Sequence, residues 1–356
     1  MLWGAALALF ACEDADSELV PEASIDARAL DADPSDAWQP DAGCECDIAF
    51  EDAAPGPDAA EPDAAAPDAG VRSIYTPCSD ESRVGRFEVA LADGYTSVQG
   101  QVANGVVPSQ VSVITAQSGP CTLVQPPVLF CEAGCEVGQV CTAQGTCAPA
   151  PANVGVGEVA VDGLTAPVTM TAGEPVWFYS FRGDLPHPGF APGDPVTLTA
   201  AGADTVQPFT LNGVGIEPLV WAGDTVALTA GTPLELRWTS AEGPARLRVE
   251  INIANHGGTP AHIWCDLDDT GTFDVPVALT DALLALGFSG FPSVVATRRT
   301  VDAAQTALGC VEFALTSTHI IDIEIDGLIS CSFDEDCPDG RLCQPDLTCE
   351  PAEDAP

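Results

Sequence analysis

The chain has 356 residues, 53 acidic and 11 basic side chains, a formal net charge of −42 and a pI near 4.1. Every basic residue is arginine, and so acidic a surface cannot neutralise a run of phosphates, which excludes a nucleic-acid partner. With 46% apolar residues the chain can still bury a sizeable core, so it is not disordered throughout.

In chain order, residues 1–11 (MLWGAALALFA) are entirely apolar and run into Cys12, followed by Glu13 and Asp14. The run is too short to span a bilayer as a helix and reads as a signal-peptide apolar region, although no Arg or Lys precedes it. Residues 1–12 are therefore expected to be a signal segment ending in a lipidated cysteine, Cys12, which tethers the chain to a membrane. Residues 13–70 repeat Asp-Ala and Pro-Asp-Ala, with 18 acids against the single Arg28. Self-repulsion and proline favour an extended, disordered tether over residues 13–76.

From residue 77 the texture changes to short runs in which Val and Thr alternate with polar residues, between Gly, Pro and Asp turns. Examples are Gly85 to Leu91, Thr96 to Val102, Gln110 to Thr115, Pro175 to Phe181, Pro195 to Ala200, Arg246 to Ile253, Ala261 to Asp266, Cys310 to Thr316 and Ile320 to Ile325. Such a pattern predicts strands. Only Pro276 to Gly287 reads as a helix, with Gly287 as its stop. The fold class expected is all-β, an antiparallel β-sandwich. The expected domains are a small β lobe over 77–130, a cysteine-rich module over 131–150, a β-sandwich body with one short helix over 151–330, and a second cysteine-rich module with a tail over 331–356.

The two modules are a repeat. Cys135, Cys141 and Cys147 share the spacing C-x2-G-x2-C-x5-C-x-P with Cys337, Cys343 and Cys349, down to Gly138 and Gly340 and to Pro149 and Pro351. Each is too small to fold on a core, so two disulfides are expected within each, among Cys131, Cys135, Cys141 and Cys147 and among Cys331, Cys337, Cys343 and Cys349. A zinc site is the competing reading, but these spacings are not finger-like. The total of 15 cysteines is odd; setting Cys12 aside for the lipid leaves an even number to pair in an oxidising compartment. Outside the modules, a Cys265–Cys310 bridge is expected, and Cys44 and Cys46 are too close in sequence to pair with each other.

The Leu9-Phe10-Ala11-Cys12 tetrad, the Asp/Pro/Ala tail, Ser118 to Cys141 (SGPCTLVQPPVLFCEAGCEVGQVC) and Cys331 to Cys343 (CSFDEDCPDGRLC) together resemble predicted cysteine-rich lipoproteins of myxobacteria and related bacteria. The resemblance implies an exported location and a β-rich, cysteine-stapled architecture. It implies no activity and no active-site residues.

Catalytic signals are sparse. Cys265 lies near His256 and His262, which would suit a thiol nucleophile and its base, but a paired cysteine is the simpler reading. No G-x-S-x-G, HExxH, Walker loop or dinucleotide fingerprint occurs, and no catalytic residue is assigned. Asp266 to Asp274 (DLDDTGTFD) resembles the first part of a calcium loop. Asp266, Asp268 and Asp274 are its expected ligands, for weak calcium if any cofactor at all, although Val277 stands where a bidentate glutamate belongs. Asp334, Asp336 and Asp339 form a weaker cluster. Trp177, Phe178, Tyr179, Trp221, Trp238 and Trp264 would suit a sugar platform, against the ordinary reading of core aromatics. The expected function is a non-enzymatic binding or display module, lipid-anchored at the outer membrane or cell surface, taking a protein or glycan ligand. The alternatives are an exported hydrolase with unidentified catalytic carboxylates, or a calcium-dependent adhesin.

Overall fold

A computed structural model describes residues 74–203, 205–254, 260–338 and 340–351. Cys12, Cys44, Cys46, His256, Asp339 and the tether as far as residue 73 lie outside the described residues. Among the described residues no helix is long and apolar enough to cross a membrane.

The described chain is mostly β, as its alternating pattern predicts. It opens with β1 (Arg83–Ala92), β2 (Tyr95–Ala103), β3 (Val113–Ser118) and β4 (Cys121–Gln125). The first module contributes the hairpin of β5 (Gln139–Cys141) and β6 (Cys147–Pro149). Then come β7 (Asn153–Val154), β8 (Val159–Asp162), β9 (Val168–Met170), β10 (Tyr179–Ser180), β11 (Pro195–Ala200) and β12 (Phe209–Val214). After β13 (Thr225–Leu228) and β14 (Leu234–Arg237) follow β15 (Arg246–Asn252), β16 (His262–Asp268) and β17 (Thr272–Val275). The helix α1 (Val277–Leu284) precedes two long strands, β18 (Ser293–Gln305) and β19 (Cys310–Ile325), and the second module ends the chain with β20 (Arg341–Cys343) and β21 (Cys349–Pro351).

Eleven strands form one sheet, ordered β10-β2-β1-β19-β18-β15-β16-β4-β3, with β13 also on β19 and β7 on β2. Its pairs are antiparallel except β1 with β19 and β13 with β19. A four-stranded sheet, β12-β11-β8-β9, and the pair β14-β17 stand apart from it. The segment 77–130 is therefore no separate lobe: β1 pairs with β19, and β4 with β16. The two runs expected at 310–316 and 320–325 are one continuous strand.

The inner face of β19 explains the layering. Val311, Phe313 and Leu315 join the core under the four-stranded sheet, with Val159, Val161, Val196 and Leu198. Ile321, Ile323 and Ile325, of the same parity, join a second core with Leu234, Leu236, Leu279 and Leu283 from β14 and α1. One strand face thus closes two cores, because successive side chains alternate across the sheet. Each fully buried large aliphatic side chain contributes about 1.5–3 kcal/mol. The helix forms where expected. Pro276 fixes its start, Leu279 and Leu283 face the core, and Gly287 ends it at φ +94°.

Six disulfides hold the described chain. The modules pair internally, as expected, and in the same order: Cys131–Cys141 and Cys135–Cys147, then Cys331–Cys343 and Cys337–Cys349. Gly138 and Gly340 sit at φ +85° and +83° just ahead of the two hairpins, a conformation in which a side chain is strained, which is why both copies carry glycine. The expected Cys265–Cys310 bridge is incorrect. Cys265 lies directly opposite Cys121 in the β16–β4 register, 4.0 Å between Cα atoms, and bonds to it. Cys310, at the start of β19, bonds to Cys78 in the segment leading to β1. The pairing follows strand neighbours, which sequence spacing does not reveal.

Candidate functional site

The outer face of the large sheet, opposite both cores, carries the polar residues of the same strands. On β15, Leu247, Val249 and Ile251 are buried in the core, so Arg248 and Glu250 project the other way. On β16, Ile263 and Cys265 face the core, and His262 and Trp264 face outward. These four side chains, with Arg299 of β18, floor a cleft of about 480 Å³.

Topology supplies its wall. β2 and β3 lie near opposite ends of the sheet order, so their connection must travel across it. Ser109, Gln110 and Ser112 of that connection line the cleft, with Pro126 beyond β4. Arg83 and Arg86 of β1 close the side and also border an adjoining recess of about 170 Å³. Four of the eleven arginines in a strongly acidic chain thus meet around one opening.

Their environments differ. Arg83 pairs with Asp80 at 2.9 Å and lies 3.9 Å from the buried Glu312, which also accepts from the Cys78 N–H at 2.8 Å. Arg86 reaches Glu88 at 3.4 Å, while its Nε is buried with no hydrogen-bond partner among the described residues. The Arg248 guanidinium lies over the Trp264 ring, 4.5 Å from its centroid, a stacking that planar guanidinium favours. Burial lowers the Arg248 pKa from its usual value, the neighbouring charges of Arg299 and Arg83 lower it further, and Asp80 and Glu250 oppose them. Arg299 is 3% exposed; its Nη2 donates to the Tyr75 hydroxyl at 2.6 Å and lies 3.4 Å from Asp266. Its Nε is buried without a partner among the described residues.

Glu250 is the one carboxylate in the lining. It lies 3.1 Å from His262 Nδ1. The close approach of His262 holds the Glu250 carboxyl below the usual carboxylate range against the opposing effect of burial, with Arg248 and Trp264 assisting. A carboxylate oriented on an imidazole suits a general base, but among the described residues no serine hydroxyl lies within hydrogen-bond distance of His262, although Ser109 and Ser112 share the cleft.

Beside the cleft, Tyr75 joins the sheet's arginines. Its hydroxyl donates to Asp266, and the guanidinium groups of Arg246 and Arg299 lie 5.2 and 5.4 Å from its ring centroid. Its pKa is pushed up to about 12, chiefly by burial; Arg299 opposes the shift and the bond to Asp266 adds to it.

The carboxylates expected to bind calcium are engaged elsewhere. Asp266 accepts from Arg246 Nε at 2.7 Å, Asp268 pairs with the same arginine, and Asp274 pairs with Arg237 at 2.7 Å. Asp266 and Asp268 lie on β16 and Asp274 on β17. The calcium reading is corrected on this ground: strand pairing distributes the acids along a ladder of arginines instead of gathering them around one point. Among the described residues, the groups close enough to hold a metal are Cys131 with Cys135 and Cys141, and Cys331 with Cys337 and Cys349, and their sulfurs are spent on disulfides. Asp334 and Asp336 accept from backbone N–H groups of the second module. Cys265, bonded to Cys121, has no thiol to offer His262.

Of the aromatics, Trp221 and Trp238 stack at 5.8 Å inside the second core. Tyr179 is buried, accepting from the Val156 N–H at 2.8 Å and donating to Gly157 O at 3.0 Å. Only Trp264 belongs to the cleft. The arginines were missed although a signal exists. They come in close pairs along the chain, Arg83 with Arg86, Arg246 with Arg248 and Arg298 with Arg299, in a sequence with few basic residues. No family model matches the chain, and no curated protein matches it.

Proposed function

We propose that the protein is an exported, lipid-anchored binding protein of a bacterial envelope, held at the outer membrane or cell surface through Cys12 and using its β body without catalysis. The observation that carries this reading is the state of the cysteines. All twelve described cysteines are bridged, a pattern suited to an oxidising, exported compartment and rare in a reducing cytosol. The apolar run ending at Cys12 and the acidic segment after it fit an anchor followed by a spacer, and the resemblance to envelope lipoproteins points the same way.

The test is metabolic labelling. Expressed with its native leader in a bacterium, the protein is expected to incorporate a palmitate analogue and partition with membranes, and Cys12→Ser is expected to abolish both. Equal labelling of the variant overturns the anchor.

A further inference from the structure

We infer that the arginine-lined cleft is a binding site for a small oxyanion-bearing ligand, with Arg248 and Arg299 as its main donors. The inference rests on the reading of the protein as a binding module but not on its lipid anchor.

The first argument is local charge. Four arginines and one carboxylate line the cleft, while the whole chain carries −42. Asp80, Glu88, Glu312 and Asp266, the last shared with Arg246, compensate Arg83, Arg86 and Arg299 from behind or beside them, which leaves Arg248 as the unpaired cation of the four. Arg248 has no carboxylate within salt-bridge distance among the described residues; its contact is the face of Trp264. Stacking on a ring leaves the edge of a guanidinium free, and that edge is what grips a carboxylate or phosphate in a two-point bond.

The second argument is an unmet hydrogen-bond requirement. A buried donor without an acceptor is costly, the more so when it is charged. Arg299 is 97% buried by its 3% exposure, and its Nε is an orphan, as is Arg86 Nε. Both residues line the same cleft. These two Nε atoms are closed to solvent, so a bound oxyanion would meet the edge of the Arg248 guanidinium and offset the crowding of positive charge that Arg299 and Arg83 impose on it.

The third argument is size and screening. A cleft of about 480 Å³ lies in the range that accommodates a metabolite-sized ligand. At physiological salt, surface charges farther away than about 8 Å are largely screened. The acidic background therefore leaves a local, partly buried cluster of cations able to attract an anion. Carboxylate and phosphate share the required geometry, and the experiment separates them.

The full chain carrying Cys12→Ser is titrated calorimetrically, in about 0.15 M salt, with inorganic phosphate, D-glucuronate and neutral D-glucose. Saturable binding of phosphate or glucuronate is expected with a Kd below about 1 mM, and none of glucose. Binding of phosphate alone assigns a phosphate ligand, and of glucuronate alone a carboxylate ligand. Arg248→Gln and Arg299→Gln are each expected to weaken binding by about 10- to 100-fold, the worth of a charge-assisted hydrogen bond. Glu250→Gln removes the one repelling carboxylate and is expected to tighten binding several-fold, a gain that misfolding cannot imitate. Arg237→Gln, away from the cleft, should change nothing. Absence of saturable binding to both acids, equal binding of glucose and glucuronate, or affinity that survives both arginine substitutions overturns the site. Because the probe protein is unlipidated, these results stand apart from the labelling test.

Discussion

Arg298 and Arg299 are neighbours on β18, and the pleat sends them to opposite faces of the same sheet. Arg298 is 1% exposed and satisfied from all sides: its Nε donates to Asp269 at 2.7 Å, and Nη1 donates to Pro218 O at 2.9 Å and to Glu217 O at 3.2 Å. Asp269 in turn accepts from Trp238 Nε1 at 2.6 Å. Arg299 is almost as buried, yet it keeps an orphaned Nε and lies beside other cations. Burial alone does not separate a structural arginine from a binding one. The separation comes from whether the fold itself supplies the acceptors. On the core side loops at 217–218 and 239 and a carboxylate at 269 have been brought in to do so; on the outer side the Nε of Arg299 is left without an acceptor.

The largest expected effect breaks the core side. Arg298→Met leaves the Asp269 carboxylate buried without its cation, a change that typically costs about 3–5 kcal/mol. Denaturant titration should show the loss as a lower midpoint. Adding Asp269→Asn, which removes the stranded charge and keeps an acceptor for Trp238, should recover a good part of it. If the single variant is as stable as the parent, the Arg298–Asp269 pair does not organise the second core, and the contrast with Arg299 disappears.

A smaller effect tests the boundary of the cleft side through Tyr75. Its folded pKa of about 12 lies above the usual tyrosine value of 10.0, so the folded state holds the phenolic proton more tightly than the unfolded chain. The resulting stability is fully present below pH 10 and is lost as pH rises toward 12. A shift of this size corresponds to at most about 2–3 kcal/mol over the whole window, and partial exposure reduces it. Stability measured at steps between pH 9 and 11 should fall less steeply for Tyr75→Phe than for the parent. Tyr179, whose pKa is also raised by burial, contributes equally to both proteins and cancels. Identical slopes would place Tyr75 outside the network of Arg299 and Asp266.

How much of this was legible in the sequence follows the same division. Alternation in Arg246 to Ile253 and Ala261 to Asp266 marks two half-buried strands, and it correctly puts Leu247, Val249 and Ile263 inside. It also puts Arg248, Glu250, His262 and Trp264 on one outer parity, but it does not say that β15 and β16 are neighbours, so the cleft floor stayed hidden. The same limit governs the cysteines. Module bridges close over short separations and repeat in sequence, so their confinement to each module is readable, while which of the three pairings each adopts is not. Cys121–Cys265 and Cys78–Cys310 depend on strand order across 144 and 232 residues, which spacing does not encode, so the expected Cys265–Cys310 pairing fails. The acidic run at 266–274 misled because carboxylates without their arginine partners in view look like ligands.

The smallest expected effect sharpens the comparison from outside both regions. Arg237 on β14 has as many carboxylate neighbours as any arginine in the described chain, Glu235 at 3.2 Å and Asp274 at 2.7 Å. By a tally of ion pairs it should matter more than Arg298. Its side chain is 42% exposed, however, and its partners are 68% and 52% exposed. Water already solvates all three groups, so the attraction is screened and ordering the side chains offsets much of what remains. Arg237→Gln is therefore expected to lower stability by less than about 1 kcal/mol, with the difference shrinking further as salt is raised. The same denaturant titration used for Arg298 reads both numbers on one scale. A loss at Arg237 approaching that at Arg298 would show that pairing, and not the burial of a fully satisfied charge, sets the energetics of this sheet.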